Sequence, residues 1–144
     1  MSNIYFLDCE FDGFGGHLIS LALIPKNDWV DGFYEVLTEY YTDPWVGENV
    51  IPHLNKLPIT HQVFQSKLEQ FLSLCPSGVT IIADWPDDIR YFMEELITGP
   101  GQAIKTPLIT CVVDRTLDSS DSRLPHNAQE DAIAIRDQWR DRHE

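Results

Sequence analysis

The segment that most constrains the fold is residues 3–10 (NIYFLDCE), near the start of the chain. Residues 4–7 are strand formers with no polar alternation, which is typical of a central strand covered on both faces. Because side chains alternate along a strand, Asp8 and Glu10 project to the same side where the strand leaves the core. Two neighbouring like charges are costly unless a cation lies between them. A divalent metal site is therefore one interpretation, and solvation beside the glycine-rich turn at residues 12–16 is the other.

The rest of the chain predicts two more strands, followed by helices that alternate with strands. Residues 17–24 and 31–37 are strand-like, and their short connections predict an antiparallel meander with the first strand. The later predicted elements are a short helical piece at 47–54, a helix capped by Thr60, a strand at 79–83, a helix ended by residues 99–101, a strand at 108–113 and a final helix. This order predicts a single α/β domain over residues 1–144, with a mixed five-stranded sheet flanked by helices.

Three carboxylates surround the start of the helix that follows the fourth strand, where sites form in open α/β sheets. The apolar stripe of this helix is predicted to contain Ile89, Phe92, Met93, Leu96 and Ile97. Relative to that stripe, Asp87 points to solvent and Asp88 lies at the stripe's edge. Asp84 has the spacing of an N-cap whose reciprocal partner is Asp87. Asp88 is thus the better candidate ligand, although acidic residues in a first turn also complement the helix dipole.

The final predicted helix carries a carboxylate on its buried face. Asn127 and Glu130 form a cap pair at its start, which leaves His126 exposed just outside the helix. The apolar stripe consists of Ala128, Ala132, Ile135 and Trp139. Asp131 lies on this same face, where a carboxylate must be paired or bound to a metal, and Arg136 lies on another face. His126 is either a general base or an ordinary surface histidine.

These residues together resemble the three motifs of the DEDDh 3′-to-5′ exonucleases, which have an RNase H-like fold. The motifs are Asp8-x-Glu10, Asp88 after a later strand, and His126-x-x-x-x-Asp131, in the same order over most of the chain. The segments PWVGENVIPHL (44–54) and LPHNA (124–128) are similar to the compact exoribonuclease branch typified by RNase AS. The middle motif of many relatives reads His-Asn-x-x-Phe-Asp, whereas residues 83–88 read ADWPDD, so Asp84 stays the alternative ligand to Asp88.

The resemblance implies a metal-dependent exoribonuclease that releases nucleoside 5′-monophosphates from RNA 3′ ends. It implies that Asp8, Glu10, Asp88 and Asp131 hold two Mg²⁺ or Mn²⁺ ions about 3.5 to 4 Å apart. His126 then takes a proton from the attacking water. Without metal, the clustered carboxylates are expected to repel one another and to titrate at raised pH.

Several partner expectations accompany this reading. Phe11 and Phe14, near the glycine-rich turn, are candidates for stacking on the terminal base, and Phe11 alternatively packs within the sheet. RNA is favoured by the branch resemblance, with single-stranded DNA or very short oligonucleotides as the alternative substrate. A non-catalytic RNase H-like binding module is the alternative from another class. Because relatives often pair, a homodimer is also expected.

Composition limits the partners and the compartment. The net charge of −13 argues against gripping long nucleic acid through many phosphates, and it is compatible with an enzyme that handles only the last few nucleotides of a strand. The resemblance implies that these nucleotides are the 3′ end. No apolar run approaches the roughly 20 residues that span a bilayer, and the start lacks signal-peptide order, which predicts a cytoplasmic protein without a membrane partner. Cys9, Cys75 and Cys111 are widely spaced in apolar contexts, which predicts buried reduced thiols.

Overall fold

A five-stranded mixed sheet runs through the centre of the computed structural model, which describes residues 3–144. The elements, in chain order, are β1 (Asn3–Phe11), β2 (Leu18–Pro25), β3 (Phe33–Val36), α1 (Pro44–Asn49), α2 (His61–Leu72), β4 (Val79–Ala83), α3 (Pro86–Glu95), β5 (Ile97–Gly99), β6 (Gln102–Ala103), β7 (Ile109–Val113) and α4 (Ala128–His143). The strand order is β3-β2-β1-β4-β7. The first two contacts are antiparallel and the last two are parallel. The predicted α/β class, meander and central first strand are confirmed, and the architecture is compatible with an RNase H-like fold.

Strand β1 divides the core into two layers because its side chains alternate. Tyr5, Leu7 and Cys9 are buried in the layer that contains α2 and α3. Phe6 is fully buried on the other face, where it packs against Ile135 of α4. Each of these large side chains contributes roughly 2 to 3 kcal/mol by leaving water. Residues 8 and 10 continue the face of Phe6 and so point toward α4.

Local capping explains where two of the helices begin. The Thr60 side chain accepts a hydrogen bond from the Val63 amide at 3.2 Å, which starts α2. The Asn127 side chain accepts one from the Glu130 amide at 2.9 Å, which starts α4. Each cap satisfies an amide that the helix itself leaves unpaired. Both predicted helix starts are confirmed, and α4 packs across β1 and β2.

The prediction for α3 was wrong at both of its ends. Its N-cap residue is Trp85, without a side-chain cap, so the Asp84 carboxylate does not cap the helix. The helix ends at Glu95, and Met93 and Ile97 are 42% and 58% exposed instead of buried. Ile97 is exposed because it leaves the helix to begin β5, which forms a short hairpin with β6 that the sequence pattern did not predict. Met93 stays within α3 and lies outside the buried face of the helix.

The cysteines are free thiols, as expected. Cys9 and Cys75 are buried, whereas Cys111 is only half-buried because it lies on the edge strand β7. Across residues 3–144, no helix combines the length and the apolar character needed to span a membrane.

Candidate metal centre

The candidate site lies where the parallel strands end. Leu7 of β1 is in register with Ala83 of β4, so the residues that follow, Asp8 and Asp84, leave the sheet side by side. Helix α3 starts just beyond β4, and α4 crosses the sheet on the face toward which Asp8 points. Three separate segments of the chain therefore contribute carboxylates to one edge of the sheet.

These carboxylates form two groups that share one member. Ligand oxygens of Asp8, Glu10 and Asp131 lie within 4.8 Å of one another. Ligand oxygens of Asp8, Asp84 and Asp88 satisfy the same condition. Asp8, Asp88 and Asp131 are buried, while Glu10 and Asp84 are half-buried. Each group could hold a metal ion, because hard carboxylate oxygens at this spacing are suitable ligands for divalent cations.

Two oxygens in this centre are buried without a hydrogen-bond partner among the described residues. They are Oδ2 of Asp8 and Oδ1 of Asp131. Their neighbours are better satisfied, since Asp131 Oδ2 accepts from the His126 amide at 3.2 Å and Asp88 Oδ1 accepts from the Cys9 amide at 3.3 Å. A buried carboxylate oxygen without a partner is unfavourable. A cation in each group removes that cost, so the donor set fits a metal.

Burial raises the pKa of every carboxyl group in the centre. Burial, then the charges of Asp88 and Glu10, raise the pKa of Asp8 well above its ordinary value. Burial and Asp131 do the same to the pKa of Glu10. Burial and the charge of Asp84 raise the pKa of Asp88 to about 8. Burial also raises the pKa of Asp84 and of Asp131. Without a cation, the cluster therefore keeps some of its protons at neutral pH.

The structure brings both candidates of the middle motif next to Asp8. Asp84 does not cap α3, although its spacing predicted that role. Its carboxylate belongs to the same group of ligand oxygens as that of Asp88. Asp87 belongs to neither group, since its carboxylate accepts from the Trp85 indole at 3.2 Å and lies 3.7 Å from the Arg90 guanidinium. The sequence posed a choice between Asp84 and Asp88, and the geometry allows both to contribute.

His126 lies at the entrance of α4 in a fixed position. It is half-buried and not exposed as predicted, because its ring packs edge-on against the Trp45 ring with centroids 4.9 Å apart. Its backbone is in the left-handed region with φ of 69°, and its amide donates to Asp131. The backbone of His126 is thus hydrogen-bonded to a carboxylate of the acidic centre, which places its imidazole beside that centre.

A buried carboxylate outside the centre anchors the segment that carries Trp45. Asp12 accepts three hydrogen bonds, from the Thr42 amide and hydroxyl, both at 2.7 Å, and from the Asp43 amide at 3.0 Å. Asp43 in turn caps α1 by accepting from the Trp45 amide at 2.9 Å. The sequence analysis missed this link, because nothing in the glycine-rich turn identifies a partner thirty residues away.

Aromatic side chains line a cavity of about 500 Å³ above the carboxylates. Phe14 is 98% exposed at its mouth. Phe11 also lines the cavity, and its ring stacks on the Tyr91 ring with centroids 4.6 Å apart. Phe11 therefore both packs within the protein, as one of the two predictions had it, and borders the cavity. Trp45 and Trp85, which the sequence analysis did not single out, form further walls. The available signal was the position of Trp85 directly after Asp84.

The centre therefore combines carboxylates that could hold a metal with an imidazole and exposed aromatic rings. Comparison of the chain with protein-family models and with curated proteins found no match. Its function is accordingly inferred from the geometry of the cavity itself.

Proposed function

We propose that this protein is a metal-dependent 3′-to-5′ exoribonuclease of the DEDDh type with an RNase H-like fold. Its reaction is hydrolysis of the last phosphodiester bond of an RNA strand, with release of a nucleoside 5′-monophosphate. The observation that carries the proposal is that Asp8 belongs to both carboxylate groups. A shared ligand keeps two Mg²⁺ or Mn²⁺ ions close together, as phosphodiester hydrolysis by paired cations requires.

The residues assigned to the ions follow from the two groups. Glu10 and Asp131 complete one site with Asp8, and Asp84 and Asp88 complete the other. When bound, the cations would supply charge neutralisation at the scissile phosphate and a more acidic attacking water. The unpartnered oxygens of Asp8 and Asp131 support this assignment, because they lack any other partner in the described part of the chain.

His126 is assigned the role of general base. Its ring nitrogen receives the proton of the attacking water, and histidine is suited to this transfer near neutral pH. Packing against Trp45 and the hydrogen bond from the His126 backbone amide to Asp131 hold this residue at the border of the acidic centre. Phe14 and Trp45 offer surfaces on which the terminal base can stack.

The proposal is tested with single-stranded RNA labelled at its 5′ end and incubated with Mn²⁺ or Mg²⁺. The parent protein is expected to shorten the labelled strand stepwise from the 3′ end and to release 5′-monophosphates, and EDTA is expected to stop it. Asp131→Asn is expected to lower the rate by more than about 100-fold, because it removes a metal ligand. Asp141→Asn is the matched control, since it removes an exposed carboxylate from the same helix.

The alternatives correspond to distinct results. If single-stranded DNA were shortened faster than RNA, the proposed substrate would be wrong, whereas the proposed phosphodiester hydrolysis would stand. A protein that binds Mn²⁺ but cleaves neither polymer would be a binding module. If Asp131→Asn bound Mn²⁺ as tightly as the parent in calorimetry, the assignment of the metal ligands would be wrong.

A further inference from the structure

Arg115 differs from the arginines of α3 and α4 in what its guanidinium contacts. Four arginines of α3 and α4 already donate to acidic or hydroxyl side chains, namely Arg90, Arg136, Arg140 and Arg142. The guanidinium of Arg115 instead lies over the Trp85 ring, 4.5 Å from its centroid. Such a cation–π contact orients a guanidinium without neutralising it. Arg115 therefore keeps its charge and its donors available.

The positions of Trp85 and Arg115 follow from the sheet. Ala83 of β4 is in register with Val113 of β7, and the Asp114 amide donates to the Ala83 carbonyl at 2.8 Å. The two strands thus deliver Trp85 and Arg115 to the same edge that carries the acidic centre. No rearrangement of the backbone is needed to bring them together.

Trp85 presents its ring to the cavity above the carboxylates. It lines that cavity and is 47% exposed. Its indole N–H donates to the Asp87 carboxylate at 3.2 Å, which fixes the orientation of the ring. The Arg115 guanidinium lies over the ring, and 47% of the residue stays exposed, which leaves room for a planar group beside it.

A fixed aromatic face beside an uncommitted guanidinium matches a particular ligand chemistry. Unpaired nucleobases stack on indole rings irrespective of base identity, and guanidinium groups bind phosphodiesters through two N–H donors. The protein carries a net charge of −13, so a phosphate outside the metal centre gains from any local cation. The pair therefore fits a stacked base and the phosphodiester attached to it.

We propose that Trp85 and Arg115 form a subsite for the nucleotide that precedes the terminal one, with its base on the indole and its phosphodiester on the guanidinium. This inference rests on the proposed exonuclease function and names its substrate class. The preferred substrate is an unpaired 3′ end of at least a dinucleotide with little base preference. A base-paired 3′ end is a poor substrate, because its penultimate base cannot stack on Trp85.

The subsite is tested by comparing two substrates of different length. One is a short RNA oligonucleotide, and the other is the p-nitrophenyl ester of a nucleoside 5′-monophosphate, which has no preceding nucleotide. Arg115→Ala and Trp85→Ala are each expected to lower the ratio of kcat/KM for the oligonucleotide to that for the ester by about 10-fold. Trp85→Phe, which keeps a stacking face, is expected to restore most of this ratio.

Matched controls separate the subsite from general charge and aromatic effects. Lys105→Ala removes the same charge from an exposed side chain whose residue contacts Glu69 only through its backbone amide. Trp29→Ala removes an indole that is 86% exposed in the β2–β3 loop. Neither control is expected to change the ratio. An equal effect of Arg115→Ala and Lys105→Ala would overturn the proposal.

A binding measurement distinguishes failure of the subsite from failure of the enzymatic proposal. Fluorescence anisotropy of a labelled RNA oligonucleotide in Ca²⁺, without turnover, gives its affinity at several salt concentrations. Arg115→Ala is expected to weaken binding and to reduce the slope of log K against log salt by about 0.7, the share of one phosphate on a single strand. An unchanged slope would refute the phosphate contact even if the protein hydrolysed nothing.

Discussion

Replacing Asp88 by asparagine is expected to stabilise the metal-free protein at alkaline pH. The asparagine side chain keeps an acceptor for the Cys9 amide and removes the buried charge. Burial and the charge of Asp84 raise the pKa of Asp88 from its ordinary value of 3.8 to about 8. Between these two values the unfolded chain has lost a proton that the native state retains. The free energy of unfolding therefore falls as the pH rises from about 4 to about 8.

The size of the effect follows from that shift. One pKa unit corresponds to about 1.4 kcal/mol, so a shift of roughly four units sets an upper limit of about 6 kcal/mol at pH 8. The neighbouring carboxyl groups share their protons with Asp88, so one substitution recovers only part of this limit, and we take half of it, about 3 kcal/mol. For a chain of this size that gain raises Tm by roughly 10 °C.

Thermal unfolding followed by circular dichroism in EDTA, from pH 5 to pH 9, measures this effect. Tm of the parent is expected to fall over this range, and Tm of Asp88→Asn is expected to fall less, so that the two curves separate as the pH rises. Added Mn²⁺ is expected to raise Tm of the parent more than that of the variant. Asp87→Asn, which removes a carboxylate from the same helical turn, is the control and should follow the parent.

Parallel curves for the parent and Asp88→Asn in EDTA would refute this reasoning. They would mean that Asp88 loses its proton at a similar pH in the folded and unfolded chains. The acidic centre would then be well solvated, and its need for a cation would disappear.

Two further substitutions examine the scaffold around the centre. Asn127→Ala is expected to lower the free energy of unfolding by about 2 kcal/mol in urea titration, because it removes both the cap of α4 and the donor to the His53 carbonyl, and an unchanged midpoint would contradict this. Asp12→Ala is expected to accelerate hydrogen exchange at the Thr42 and Asp43 amides, which lose their acceptor, while β1 stays protected. Equal exchange in parent and variant would show that Asp12 does not anchor this segment.

Local periodicity was sufficient to predict much of the scaffold. Alternation in β1 placed Asp8 and Glu10 on one face, and the helical spacing of Ala128, Ala132 and Ile135 placed Asp131 inward. Both inferences use only neighbours along the chain, and the structure confirms that Asp8 and Asp131 are buried. That the two faces meet was implied only by the family resemblance, and the structure brings ligand oxygens of Asp8, Glu10 and Asp131 within 4.8 Å of one another.

Features that depend on tertiary contacts were beyond this reasoning. The end of α3 is followed at once by the β5–β6 hairpin, so Ile97 was wrongly expected to be buried in the helix. Met93 was also wrongly expected to be buried, although it lies within α3. The spacing of Asp84 matched a cap, yet its carboxylate lies beside Asp8. The aromatic walls at Trp45 and Trp85 were missed because single exposed tryptophans follow no periodic pattern, and only the position of Trp85 directly after Asp84 pointed to one of them. The enzymatic roles of the site residues stay predictions.

The order in which the carboxylates occur along the chain bears on synthesis. Asp8 and Glu10 leave the ribosome early in translation, whereas Asp131 emerges only with α4, the last helix of the described chain. Until α4 has folded onto β1, the nascent polypeptide lacks the third ligand of one cation group and the histidine at the helix entrance. Cation binding by this group, which the two N-terminal carboxylates cannot complete by themselves, therefore becomes possible only after α4 has packed against β1.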